Sequence, residues 1–231
     1  MPGDPNLEAV QAAAGALGQL VDSVVLVGGC ATGLLLTSIR SEMIRPTRDI
    51  DLVVEAVSPR AYRGVERELR ALGFVNDQSE DAPICRWRKD ELIVDLMPTD
   101  ERVFGFGNRW YPLAADTADP VVLPNGQVIR LTSAPVFIAT KLEAFRDRGR
   151  GDYFASHDLE DVITVIDGRE ELAAETRAAP AAVREALSAE LGELVGNPDF
   201  NDALSGLLPG DVGSQARLPM LYERLAALAS G

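Results

Sequence analysis

Two stretches decide how this chain reads: Val24-Val25-Leu26-Val27-Gly28-Gly29-Cys30-Ala31-Thr32, and further on Pro46-Thr47-Arg48-Asp49-Ile50-Asp51-Leu52. In the first, a β-branched run stops at paired glycines. That pattern predicts a buried strand over 24–27 and a turn into a helix over 31–39. Glycine at such a turn lets a phosphate approach the main chain, and the helix start adds free N–H groups and a positive dipole end. Gly28 and Gly29 are therefore candidate phosphate-cradling residues. In the second stretch a strand over 50–54 puts Asp49 and Asp51 on one face and turns Ile50 and Leu52 into the core.

No cation is evident between these two carboxylates, so they repel unless they share one. Magnesium suits them, with manganese as the alternative, because a hard ion takes oxygen ligands from one or two carboxylates plus substrate phosphates. A third carboxylate, Asp95, stands in the apolar run Leu92-Ile93-Val94-Asp95-Leu96-Met97, where burial is costly without a partner. If that strand lies beside 50–54, Asp49, Asp51 and Asp95 form a metal-binding cluster. Such a cluster can hold two ions about 3.5–4 Å apart. The other reading pairs Asp95 with an arginine of Arg86-Trp87-Arg88.

Outward from these stretches, a first helix is expected over 7–20 and another over 60–72, ending near Gly73. Strands over 84–88 and 92–97 flank Lys89-Asp90 as a hairpin turn. Residues 98–120 read as irregular, with Phe104, Phe106, Trp110 and Tyr111 placed either to stack a base or to pack in a core. Strands at 121–123 and 128–131 flank Asn125-Gly126, a strong turn signal. From Ser133 onward the pattern is helical, broken by a basic loop, Arg146-Asp147-Arg148-Gly149-Arg150-Gly151. The expected architecture is α/β (α+β): a mixed sheet with flanking helices over 1–132, then a helical domain over 133–231.

The charge supports that division. The 231 residues carry 36 acids and 22 bases, a net charge of −14. Residues 1–150 hold 21 of the acids and 17 of the bases, so the remainder is strongly acidic. A broad polyanion-binding surface is excluded, because phosphate backbones are held by Lys and Arg. Any RNA contact falls to local patches, the helix of Arg60–Arg70 and the loop of Arg146–Arg150. Two cysteines, Cys30 and Cys85, and one histidine, His157, cannot build a zinc site or a disulfide framework. No run approaches the length of a membrane helix, and a start without a basic segment and an unbroken apolar run is not expected to act as a signal peptide. The expectation is a cytoplasmic protein with no membrane partner.

Gly28-Gly29, Asp49-Ile50-Asp51 and then Asp95 on a later strand resemble the nucleotidyltransferase superfamily that includes DNA polymerase beta. Gly28-Gly29-Cys30-Ala31 and Thr47-Arg48-Asp49-Ile50-Asp51 look more particularly like the AbiEii group. So do Lys141 in Thr140-Lys141-Leu142-Glu143-Ala144-Phe145 and the acidic run Asp158-Leu159-Glu160-Asp161. Members of that group are toxins of bacterial abortive-infection and toxin–antitoxin systems. The resemblance covers roughly residues 20–170. It implies a fold of nucleotidyltransferase type, with the site between the two parts, and transfer of an NMP from an NTP with release of pyrophosphate. It also implies Mg²⁺ (or Mn²⁺) held by Asp49, Asp51 and Asp95, with Asp95 also helping to deprotonate the acceptor. Lys141 is expected at the donor phosphates, facing a cleft, with Gly28, Gly29, Thr47 and Arg48 assisting. Asp158 is expected to orient the site. The implied acceptor is a tRNA 3′ end or a protein side chain, and the implied partner a cognate antitoxin.

One departure is the nineteen residues between Gly29 and Asp49, longer than in the wider superfamily. The extra length, Thr37–Pro46, is expected as a loop over the nucleotide. Each candidate also has a plainer reading. The glycines can serve only a tight turn, Asp49 and Asp51 an exposed ion-pairing face, and Asp158 the first turn of a helix capped by Ser156. Lys141 can snorkel from a core helix. Two rival functions follow: a non-catalytic nucleotide- or partner-binding protein, and a phosphotransferase that releases diphosphate.

Overall fold

The computed structural model describes residues 3–38, 44–149 and 151–231. The chain forms two compact units. One comprises Pro5–Ala31 and Pro46–Ser133, the other Met1–Asp4, Thr32–Arg45 and Ala134–Gly231. The second thus takes in Thr32–Arg45 as well as the C-terminal helices, where the sequence reading places a single boundary near 132.

The first unit is built on a seven-stranded mixed sheet. Helix α1 (Leu7–Leu17) and a 3₁₀ segment lead into β1 (Val24–Leu26), and helix α2 (Gly28–Leu35) begins at once, its residues from Thr32 onward belonging to the second unit. Then come β2 (Asp49–Val54), α3 (Pro59–Ala71), β3 (Val75–Asn76), β4 (Arg86–Lys89) and β5 (Leu92–Pro98). A short helix α4 (Tyr111–Asp116) precedes the hairpin of β6 (Asp119–Val122) and β7 (Val128–Leu131). The strand order is β3-β4-β5-β2-β1-β7-β6, with β2–β5 and β1–β7 parallel and the other pairs antiparallel. The α/β class expected from the sequence is what the chain adopts.

Four elements differ from the sequence reading. Helix α2 starts at Gly28 rather than Ala31, so the glycines form its first turn. Helix α4 and the start of β6 lie within the stretch read as irregular. Short β3 carries too few residues to show a period.

Apart from Asp49, Asp51 and Asp95, the central strands β1, β2 and β5 are apolar and largely buried. Val25, Val53, Val94 and Leu96 are fully enclosed. Each such side chain contributes about 1.5–3 kcal/mol. Helix α3 begins at Ser58, whose hydroxyl accepts from the Ala61 N–H, with Pro59 at its first position. It buries Tyr62 and Leu69 while Arg60, Arg63, Arg67 and Arg70 stay exposed. The Tyr62 hydroxyl donates to the Leu96 carbonyl at 2.8 Å, which fixes α3 to β5 one residue from Asp95.

The second unit contains α5 (Ala134–Arg148), α6 (His157–Gly168), α7 (Leu172–Ala178) and α8 (Ala181–Val195). It continues through α9 (Pro198–Leu204), α10 (Val212–Gln215) and α11 (Leu218–Ala229). Val183, Leu187, Leu191 and Leu194 recur at helical spacing on the buried face of α8, and Leu221, Leu225 and Leu228 do so on α11. Arg217 pairs with the enclosed Asp167 at 2.8 Å. Thr37 and Ser38 both donate their N–H groups to the Gly168 carbonyl at 3.1 Å. The loop expected over the nucleotide lies partly outside the described residues, and its start at Thr37–Ser38 is tied to the end of α6. Among the described residues no helix is long and apolar enough to cross a membrane.

Candidate active site

Asp49 and Asp51 alternate with buried Ile50 and Leu52 along β2, so both carboxylates leave the same face of the sheet. Parallel pairing with β5 sets Asp51 directly beside Asp95, and antiparallel pairing of β4 sets Arg86 beside Asp95. Three adjacent strands thereby bring Arg86, Asp95, Asp51 and Asp49 onto one surface.

The arginine lies among the acids. Arg86 donates from Nε to Asp95 Oδ1 at 2.8 Å and from Nη2 to Asp95 Oδ2 at 2.6 Å. The same Nη2 reaches Asp49 Oδ2 at 2.7 Å. Of the two readings of Asp95, pairing with an arginine of the 86–88 strand is the one the structure adopts. The expectation that no cation separates the carboxylates is corrected accordingly. The hydrogen bond to Asp95 is the main reason Arg86 is held even more firmly protonated than an ordinary guanidinium. Neighbouring Cys85 is pushed up to about 12 by burial and then by the Asp95 charge, so it stays a thiol at neutral pH.

Thr47 precedes β2 and donates from Oγ1 to Asp49 Oδ1 at 2.9 Å, while its own N–H donates to Asn6 Oδ1 at 2.9 Å. Both Asp49 oxygens are therefore engaged. Arg48 is exposed. Gly28 has φ +63°, and a Cβ there would lie 1.9 Å from Asp51 Oδ2. Asp51 thus rests against the first turn of α2, in which Gly29 is buried. The N–H groups of that turn have no acceptor within the helix.

These facts test whether a divalent ion fits. The donor set is correct in kind: hard carboxylate oxygens from two neighbouring strands. Its arrangement is not. Among the described residues no three His, Cys, Asp or Glu side chains are grouped to hold a metal. Arg86 already takes both Asp95 oxygens and one of Asp49, so an ion would be held there only with Arg86 displaced.

In the helical unit, Lys141 on α5 is buried, at 7% exposure. Its Nζ lies 2.6 Å from Asp161 Oδ2 and 3.2 Å from Asp158 Oδ1, both on α6. The reading of Lys141 as cleft-facing is corrected, since a cation on a core helix face needs buried acids and finds two. The repulsion expected between Asp158 and Asp161 is relieved by that shared ammonium. Arg148 adds two hydrogen bonds to Asp158, at 2.9 and 3.0 Å. Burial would raise the Asp158 pKa, but these cations outweigh it and hold the carboxyl below the ordinary carboxylate range. Asp158 also occupies the first turn of α6, where Ser156 Oγ accepts from the Leu159 N–H.

The candidate RNA contacts separate into two kinds. Arg60, Arg63, Arg67 and Arg70 form an exposed stripe on α3. Nearby, Phe104 packs edge-on against Tyr62, and half-exposed Phe106 stacks on Phe104. Trp110 is buried, which makes it core. The second patch is not a free basic loop. Helix α5 runs through Arg146 and Arg148, with Arg148 on Asp158 and Arg146 3.5 Å from Glu190. Arg150 lies outside the described residues.

No protein-family model matches the chain, and no curated protein does. Among solved structures it is similar to JHP933 from Helicobacter pylori, at 12% identity and a TM-score of 0.45, over 97% of this chain and 88% of that one. It is also similar to an H. pylori protein provisionally described as a nucleotidyltransferase, at 13% identity and a TM-score of 0.44, over 98% and 92% of the two chains.

Proposed function

We propose that this protein is a nucleotidyltransferase that moves an NMP from an NTP onto a hydroxyl acceptor. The observation that carries the reading is the shared sheet face of Asp49, Asp51 and Asp95, with Asp51 seated against the glycine start of α2. In the reaction the acceptor oxygen bonds to the α-phosphorus, the bond to the bridging oxygen breaks, and pyrophosphate leaves. In this reading Asp95, once released from Arg86, takes the hydroxyl proton, and the α2 N–H groups steady the triphosphate. Asp49, Asp51 and Asp95 would hold magnesium or manganese only after Arg86 has left Asp49 and Asp95, and the ion would then supply positive charge against the phosphates. A phosphate contact by Lys141 requires it to leave Asp158 and Asp161, so its first role is to join α5 to α6.

The resemblance of the motifs to the AbiEii group supports a tRNA 3′ end or a protein side chain as acceptor, and a toxin role with a cognate antitoxin. The exposed arginine stripe of α3 favours the RNA acceptor. A second reading, a non-catalytic nucleotide- or partner-binding protein, is favoured by the salt bridges that neutralise Asp49 and Asp95. Incubation with each labelled NTP, Mg²⁺ and total RNA or cell protein separates them. Label transferred with pyrophosphate release, lost in both Asp49→Ala and Asp51→Ala, supports the transferase. Diphosphate release marks a phosphotransferase, and nucleotide retention without turnover marks the binding protein.

A further inference from the structure

The geometry points to Arg86 as a built-in cation that occupies the divalent-ion position, so that metal binding requires its displacement. This rests on the proposed reading of Asp49, Asp51 and Asp95 as metal ligands. Arg86 Nη2 stands 2.7 Å from Asp49 Oδ2 and 2.6 Å from Asp95 Oδ2, so it takes one oxygen from each of two candidate ligands. A magnesium ion sits about 2.1 Å from its ligand oxygens. An ion drawing on either of those oxygens would meet the guanidinium at a separation neither charge tolerates, so occupancy is exclusive.

The arginine also has a reason to be there. Asp95 is only 7% exposed, and three like charges on one face are unfavourable without a counter-ion. A planar fork that binds Asp95 through two nitrogens and shares one of them with Asp49 meets that need, as a lysine ammonium does not. The Arg86 side chain keeps 23% of its surface exposed and β4 is next to the sheet edge, so the guanidinium borders solvent rather than the enclosed core. Arg86 is thus a positioning residue. It holds the carboxylates in register when no ion is bound, and it sets how tightly one is taken.

The test is a Mn²⁺ titration of the full chain without nucleotide, with free Mn²⁺ read by electron paramagnetic resonance. Arg86→Gln is expected to bind Mn²⁺ roughly ten-fold or more tightly than the wild type, the weight of one charge-assisted hydrogen bond. The gain should vanish in Arg86→Gln combined with Asp51→Asn. Arg86→Lys should fall between wild type and Arg86→Gln, and it decides the matter if Arg86→Gln does not fold. Equal or weaker binding in the folded Arg86 variants overturns the inference while leaving an Asp51-dependent metal site intact. No Mn²⁺ binding in any variant overturns both this inference and the metal reading beneath it.

Discussion

The α-carbon of Gly28 rests on the carboxylate of Asp51. A Cβ at position 28 would approach Asp51 Oδ2 to 1.9 Å and Asp51 Cβ to 2.6 Å, and φ there is +63°. Gly28→Ala therefore strains the backbone and pushes the aspartate off its strand position. The expected loss is about 1–3 kcal/mol of stability from the backbone alone. NMP transfer should fall at least as far as in Asp51→Asn. Thermal melts and the labelled-NTP assay check both, and a stable, fully active Gly28→Ala variant would remove Asp51 from the site.

Thr47 acts on Asp49 through one hydrogen bond. Thr47→Val keeps the shape and deletes the donor, at about 1 kcal/mol. We expect a lower kcat with a loss of global stability no larger than that, since Asp49 keeps its bond from Arg86. Thr47→Ser, which retains the hydroxyl, should recover most of the rate.

Lys141 neutralises two buried acids at once. Lys141→Met leaves Asp161, only 2% exposed, without its nearest cation, and should cost about 3–5 kcal/mol. Lys141→Met combined with Asp161→Asn should regain part of that. A Lys141→Met chain as stable as wild type in urea would count against the buried pairing.

Acid stability has a defined sign. The folded Asp158 carboxyl is held below its ordinary value, burial opposing and Arg148 and Lys141 prevailing. On acidification the unfolded chain takes up this proton first. The contribution is therefore complete above the unfolded carboxyl value near 4 and is lost as pH falls through the lower folded value. Asp158→Asn should flatten the acid limb of stability below about pH 4 and leave the slope near neutrality unchanged. Urea midpoints measured across that range decide it; an identical acid limb in the variant would refute the assignment.

How far the site was legible depends on the range of each interaction. The β4–β5 hairpin shows the limit. A turn at Lys89-Asp90 and a turn at Asp90-Glu91 differ by one residue, and only the second sets Arg86 opposite Asp95. Asp90, at φ +52°, stands at the first position of that second turn, where a tight hairpin turn takes a positive φ. The start of α2 was misplaced for a related reason. Glycine is a poor helix former, so Gly28 and Gly29 read as a turn, whereas the closeness of Asp51 demands glycine in the helix itself.

By itself the sequence determined what alternation and composition can carry. That is the α/β class, the helical C-terminal half, and the common face of Asp49 and Asp51, because a two-residue period acts along one strand. Tertiary structure alone decided which strands are neighbours. It placed Asp95 beside Asp51, set Arg86 between the acids, and joined Lys141 to Asp158 and Asp161 across two helices. These pairings depend on burial and charge compensation between segments distant in the chain, and no local pattern encodes them.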